Sequence, residues 1–219
     1  MGNLTADIIR SEFQADFGLA NGGCLRANQR FEKGQITLRF VSQILPMIDQ
    51  IACVQVTGKI LKKILENGLS LWPKYDGRWP LTSGLSFKFD PSKPPGDRIV
   101  EGSLTTTEGV PIDPEKYYSL AAKYFLTTGK DGYSAFQDPS VIYPPNFSHD
   151  GLPVFQEVLK NWLKNFRKNE KELERMPARA KKIFQQRLKY MHTSVDNRDA
   201  ESGYIKICPR VEGRIINVG

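Results

Sequence analysis

The chain has 219 residues, 40% hydrophobic and 25% charged, the balance of a globular protein with one large domain or one domain plus an appendage. The net charge of +7 is unevenly placed: residues 1–150 carry 16 basic and 16 acidic side chains, residues 151–219 carry 15 and 8. Three scattered cysteines (Cys24, Cys53, Cys208) and two histidines (His149, His192) supply neither a disulfide framework nor zinc spacing, and no window approaches the roughly 18 apolar residues of a membrane helix.

Residues 1–13 place Leu4, Ile8, Ile9 and Phe13 at helical spacing. "DFGLA" (16–20) reads as a short buried strand, and it runs into "NGGCLR" (21–26). Residues 34–45 fit a helix stopped by Pro46, residues 51–58 a strand, and residues 59–69 an amphipathic helix with Gly68 near its end. "WPKYDGRWP" (72–80) is a turn-rich loop. "GLSFKFD" (84–90) alternates like a half-buried strand, and residues 98–105 read as another. Residues 117–136 begin as a strand and break at "TTGKDG". The elements mix without a βαβ rhythm, so the expected fold is α+β, a mixed sheet with packed helices.

From about Pro153 the pattern changes. Val154, Phe155, Val158, Leu159, Trp162, Leu163 and Phe166 form one helical stripe. A second helical stretch follows Pro177, then a loop over 192–203 and one or two closing strands. The expected division is a domain over 1–150 and a basic helical extension over 151–219, its lysines solvated. Its charge could attract nucleic acid or an anionic surface, but no RNA-binding motif accompanies it, so a nucleic-acid partner is not expected.

Two stretches carry chemistry. In "NGGCLR", Gly22 and Gly23 allow positive φ and close approach of N–H groups to a ligand, and Arg26 offers a two-pronged phosphate contact. Alone, the segment reads better as a turn with a surface arginine. In "YFLTTGKDGY" (124–133), Phe125 could stack a base and Asp131 could accept from a ribose diol. Alone, these read as a core aromatic and a turn residue.

Taken together and in order, the stretches resemble the C-terminal domain of the 5'-nucleotidase family. "NGGCLR" resembles its NGGGIR-type motif. "ILPMIDQIACVQVTGKILKKILENG" resembles its LPF-to-LE run, "WPLTSGLSFKFDPSKPPGDRI" its SG-and-PGDR segment, and "YYSLAAKYFLTTGKDGYSAF" its F-L-x-x-G-x-D-G run. "VEGRI" resembles a closing segment.

The resemblance implies that Asn21 faces the base, that the Gly22–Gly23 backbone lines the site, and that Arg26 binds phosphate. It further implies that Phe125 is one of two plates around the base, that Asp131 holds the ribose hydroxyls, and that Gly84 lies near the base edge. The second plate falls at Ile51, and a missing stacking partner costs about 1–3 kcal/mol. Lys130 replaces a common glycine and reads as solvated.

Family members carry an N-terminal metallophosphatase domain with two divalent metals, and nothing in these residues corresponds to it. The expectation is therefore a substrate-recognition domain with no cofactor of its own, inactive alone. Its partners would be a nucleotide or nucleoside and that catalytic domain. The same residues fit a binding or scaffold module that kept the fold without catalysis. The odd cysteine count and the absence of a signal pattern at the start point to a cytoplasmic location.

Overall fold

The computed structural model describes residues 1–27, 29, 31–32, 36–74, 76–145, 147–166, 175, 177–178, 181–182, 185, 195–198, 205–207 and 213–219. The fold is α+β, as the mixed pattern predicts. Its elements in chain order are α1 (Gly2–Phe13), β1 (Phe17–Asn21), α2 (Leu38–Ile44), β2 (Ile51–Thr57), α3 (Gly58–Leu69), β3 (Pro80–Ser83), β4 (Leu85–Phe89) and β5 (Thr105–Thr106). They continue with β6 (Tyr117–Lys123), α4 (Tyr124–Thr127), α5 (Phe155–Phe166), β7 (Val195–Arg198), β8 (Ile205–Ile207) and β9 (Ile215–Asn217).

The main sheet has the order β2-β6-β1-β3. Only β1 and β6 run parallel, with Phe17 opposite Leu120 and Leu19 opposite Ala122. Both faces are buried, so alternate residues of each strand serve different cores. Leu19, Val54, Val56, Leu120 and Ala122 face α3 residues such as Leu61 and Leu65. Ala20, Ile51 and Ala121 face Leu4, Ile8 and Ile9 of α1, Val41 of α2, and Phe155, Val158 and Trp162 of α5. The apolar stripe of α5 thus covers the same side of the sheet as α1.

Two caps fix helix starts: Thr37 accepts from the Phe40 N–H at 3.2 Å and Thr57 from the Ile60 N–H at 3.3 Å. The first cap explains why α2 begins at Leu38 rather than near residue 34. A second sheet, β5-β4-β9, joins the closing strand to β4 in parallel, Phe87 opposite Ile215. Beneath it Arg214 spans to α1, with Nη1 2.7 Å from Asp7 Oδ1 and Nη2 3.0 Å from Asp7 Oδ2. Arg214 Nη1 also donates to the Thr82 carbonyl at 2.6 Å, and Ser83 Oγ donates to Asp7 Oδ1 at 2.7 Å.

Three local expectations need correction. Residues 98–105 do not form a strand; the segment meets β4 in a single bridge at Ile99 and enters a strand only at Thr105. The reason lies in its donors: the N–H groups of Arg98 and Ile99 go to the Glu66 carboxylate of α3, at 3.0 and 2.7 Å. The loop ending at Pro80 instead opens β3, an edge strand whose first position tolerates a proline. The loop expected over 192–203 contains β7, which pairs antiparallel with β8. The helix expected after Pro177 lies mostly outside the described residues. Among the described residues no helix is long and apolar enough to cross a membrane.

Candidate functional site

Parallel pairing brings the carboxyl ends of β1 and β6 to one edge, and the side chains there are Asn21 and Lys123. β2 begins at the same edge, with Ile51 opposite Lys123. Asn21 is 3% exposed. Its Nδ2 donates to the Gly77 carbonyl at 2.9 Å and to Asp131 Oδ2 at 3.0 Å, while its Oδ1 accepts from Lys123 Nζ at 3.2 Å. Lys123, only 2% exposed, also pairs with Asp49 Oδ2 at 2.8 Å. Its Nζ stands 5.5 Å from the centre of the Phe125 ring, within cation–π range. Segments more than 100 residues apart thus converge: Asn21 from β1, Lys123 from β6, Phe125 from α4, and Asp131 from the turn beyond it.

That turn is shaped by backbone chemistry. Gly129 (φ 81°), Asp131 (φ 53°) and Gly132 (φ 78°) all occupy the left-handed region, where a non-glycine residue is uncommon. The Asp131 carbonyl accepts from Asn67 Nδ2 at 3.1 Å. Tyr133, fully buried, donates its hydroxyl to the Arg78 carbonyl at 2.6 Å, and burial pushes its phenol far above the ordinary value. The carboxylate of Asp131 is held on one oxygen by Asn21. Its Oδ1 has no protein partner among the described residues.

The glycine pair does something other than the sequence suggests. Neither Gly22 nor Gly23 takes positive φ. Their N–H groups donate to the carbonyls of Trp79 at 2.7 Å and Gly77 at 2.8 Å, so these amides are not available to an anion. A Cβ on Gly23 would lie 3.0 Å from the Gly77 Cα, so the glycine is required by close approach of two backbones. The facing loop is anchored by Trp79, whose ring packs 5.3 Å from Trp72 and 5.8 Å from Phe89.

Of the other expected residues, Arg26 is exposed. Its backbone N–H is tied to the Ile44 carbonyl at 3.1 Å, and its guanidinium has no partner among the described residues. Phe125 is 39% exposed, not a core aromatic. Lys130 is exposed, as a solvated lysine is.

Ile51 is 0% exposed and packed among α1 and α5 side chains, so it presents no face to a base; the exposed apolar residues of that loop are Met47 and Ile48. Gly84 does not join the cluster. Ser83 pairs with Gly18 while Pro80 pairs with Asn21, which puts Gly84, one residue further on, well away from Asn21 along β1. The distance is about 13 Å, four strand steps from the Asn21–Pro80 pair, and there a Cβ would lie 2.5 Å from the Asp16 carbonyl oxygen.

Sequence reasoning misses Lys123 and Asp49. The available signal is a lysine closing the otherwise apolar run "LAAK", where a buried charge demands a partner. Cys24 sits below the cluster, 1% exposed. Burial raises its thiol to about 11, against the smaller lowering effect of Lys123. Among the described residues no three His, Cys, Asp or Glu side chains gather as metal ligands. The two carboxylates at the site, Asp49 and Asp131, are engaged by Lys123 and Asn21. A cavity of about 310 Å³ between Tyr124, Phe136, Tyr143 and Phe147 includes none of the expected site residues.

The profile of the 5'-nucleotidase C-terminal domain matches residues 1–138. The chain belongs to this family. The 5'-nucleotidase-type domain is 31% identical over 166 residues to the trifunctional nucleotide phosphoesterase protein YfkN of Bacillus subtilis, covering 73% of the chain and 11% of that protein. It is 30% identical over 162 residues to the protein UshA of Salmonella pullorum, covering 73% of the chain and 26% of that protein. The fold is shared with a 5'-nucleotidase precursor from Thermus thermophilus, with a TM-score of 0.66 at 24% identity over 99% of the chain and 35% of that protein. The chain therefore spans about a tenth to a third of the length of these relatives.

Proposed function

We propose that this chain is the nucleotide-recognition part of a 5'-nucleotidase-type phosphohydrolase. The observation that carries the reading is the convergence of Asn21, Phe125 and Asp131 at the carboxyl ends of the two parallel strands, in a domain of this family. An exposed aromatic face, a carboxylate oxygen without a protein partner and an exposed guanidinium five positions past Asn21 match the three parts of a nucleoside monophosphate. In this reading the base stacks on Phe125, the ribose hydroxyls donate to Asp131 Oδ1, and Arg26 pairs with the phosphate. Gly22 and Gly23 line the site by holding Asn21 against the Gly77–Trp79 carbonyls. Gly84 shapes the chain beside Asp16, away from the nucleotide.

Hydrolysis belongs to a metallophosphatase domain carrying two divalent metals, with which residues 1–150 would associate as the recognition unit. Residues 151–219 form its basic extension. The activities named for the relatives, nucleotide phosphoesterase and 5'-nucleotidase, are consistent with a phosphorylated nucleoside as the substrate class.

Calorimetric titration of AMP and adenosine into the purified chain tests this. Phe125→Ala weakens both by about 1–3 kcal/mol, roughly 5- to 150-fold. Arg26→Ala weakens AMP and leaves adenosine unchanged. If neither substitution alters binding, the pocket is misassigned.

A further inference from the structure

Asn21 is the hub of the cluster, and its amide has two ends of nearly equal shape. Their order is set by what faces them, since Oδ1 requires a donor and Nδ2 requires acceptors. A lysine ammonium is donor only, so Lys123 Nζ, 3.2 Å away, commits Oδ1 to its own side. Nδ2 then points to the Gly77 carbonyl and to Asp131 Oδ2.

Lys123 is in turn held by Asp49 at 2.8 Å, and its side chain is 2% exposed. A flexible four-carbon stem is thereby fixed, and the chain Asp49–Lys123–Asn21–Asp131 is continuous. Without the ammonium, the Asp49 carboxylate would face the amide oxygen. It would then compete with Asp131 for the Nδ2 protons.

We propose that Lys123 is the positioning residue of this pocket: clamped by Asp49, it orients the Asn21 amide and thereby aims the Asp131 carboxylate at the two vicinal hydroxyls of a ribose. The inference rests on the reading of Asp131 as the ribose contact given above. It adds that discrimination between a ribonucleotide and its deoxy analogue is set by a residue that need not touch the sugar. Burial of an ion pair at this edge makes sense in these terms. Stability alone would be served as well by two apolar side chains, whereas a donor-only group is needed to keep Asn21 in one orientation.

The test compares AMP with 2',3'-dideoxy-AMP on the full chain. Wild-type protein prefers AMP by about tenfold to a hundredfold, the range for hydroxyls bonded to a charged acceptor. In Lys123→Met the preference falls to within about threefold of unity, AMP losing more affinity than dideoxy-AMP. A Lys123→Met protein that keeps the wild-type preference, or that loses both ligands by the same factor, overturns the proposal.

Should that variant not fold, the wild-type protein supplies the second measurement. In NMR spectra of selectively labelled protein, the Lys123 ammonium and Asn21 side-chain amide signals shift further with AMP than with the dideoxy analogue, which shares only the base and phosphate contacts. Equal shifts with both ligands, or none with either, reject the relay. Wild-type protein that binds no AMP refutes the functional reading itself, and the inference falls with it. Binding of AMP with an unchanged preference in Lys123→Met refutes the inference alone.

Discussion

Replacing Arg214 by methionine removes a guanidinium from a site where its partner, Asp7, is 0% exposed and Arg214 itself 4% exposed. Both nitrogens of the fork contact both oxygens of the carboxylate, at 2.7 and 3.0 Å, the strong bidentate arrangement. The Thr82 carbonyl loses a donor in the same change.

Removing one member of a buried pair costs about 3–5 kcal/mol, because the remaining charge loses its counter-ion in a low-dielectric setting. At about 2–4 °C per kcal/mol for a chain of this size, the melting temperature should fall by roughly 6–20 °C. Thermal denaturation followed by circular dichroism reads this directly. The double variant Asp7→Leu/Arg214→Met removes both charges and should recover most of the loss, short of about 1–3 kcal/mol for the polar partners left behind. A single substitution costing less than about 1 kcal/mol, or a double variant as damaged as the sum of two singles, would refute the view that the pair locks the closing strand to α1.

Gly84→Ala forces a side chain onto a backbone at φ 82°, with its Cβ 2.5 Å from the Asp16 carbonyl oxygen. It should cost at least about 1–3 kcal/mol of stability while leaving the AMP affinity of the folded protein unchanged; a selective loss of affinity would restore Gly84 to the pocket. Burial raises both the Cys24 and Cys53 thiols to about 11, Asp16 adding to the rise at Cys53. A raised thiol stays protonated through neutrality, so at pH 8 each should alkylate with iodoacetamide at least about a hundredfold more slowly than a free cysteine, the rate climbing about tenfold per pH unit toward 11. Mass spectrometry in a Cys208→Ser background follows this, and labelling at the rate of a free peptide would contradict the burial.

The sequence made the sheet legible where apolar runs alternate or repeat, and opaque where a distant side chain decides. Residues 98–105 have the composition of a strand, but Glu66 on α3 takes the amides of Arg98 and Ile99, a partner no local pattern announces. β3 is hidden because Pro80 reads as punctuation, while its pairing with Asn21 depends on the register of β1. At the site, motif order singles out Asn21, Phe125 and Asp131, and the structure brings them together. Gly84 fits the motif equally well and Ile51 stands where a second aromatic plate is expected, yet strand geometry sends one to the far end of β1 and the other into the core. Lys123 escapes notice because a single lysine in a strand looks like a surface residue until its Asp49 partner, far off in sequence, is seen.

The clamp between α1 and the closing strand also has a meaning in time. Asp7 and Arg214 are separated by 207 positions, so a ribosome adding roughly 5–20 residues per second leaves the carboxylate of α1 waiting about 10–40 s for its cation. During that interval β4 lacks the strand that will pair with it along Phe87–Phe89, and an unpaired strand edge is an aggregation hazard. The nascent domain can assemble its four-stranded sheet early, yet it is sealed only when its last residues arrive. A chaperone that shields α1 and β4 through this delay would raise the yield of folded protein more than one acting after β9 has paired.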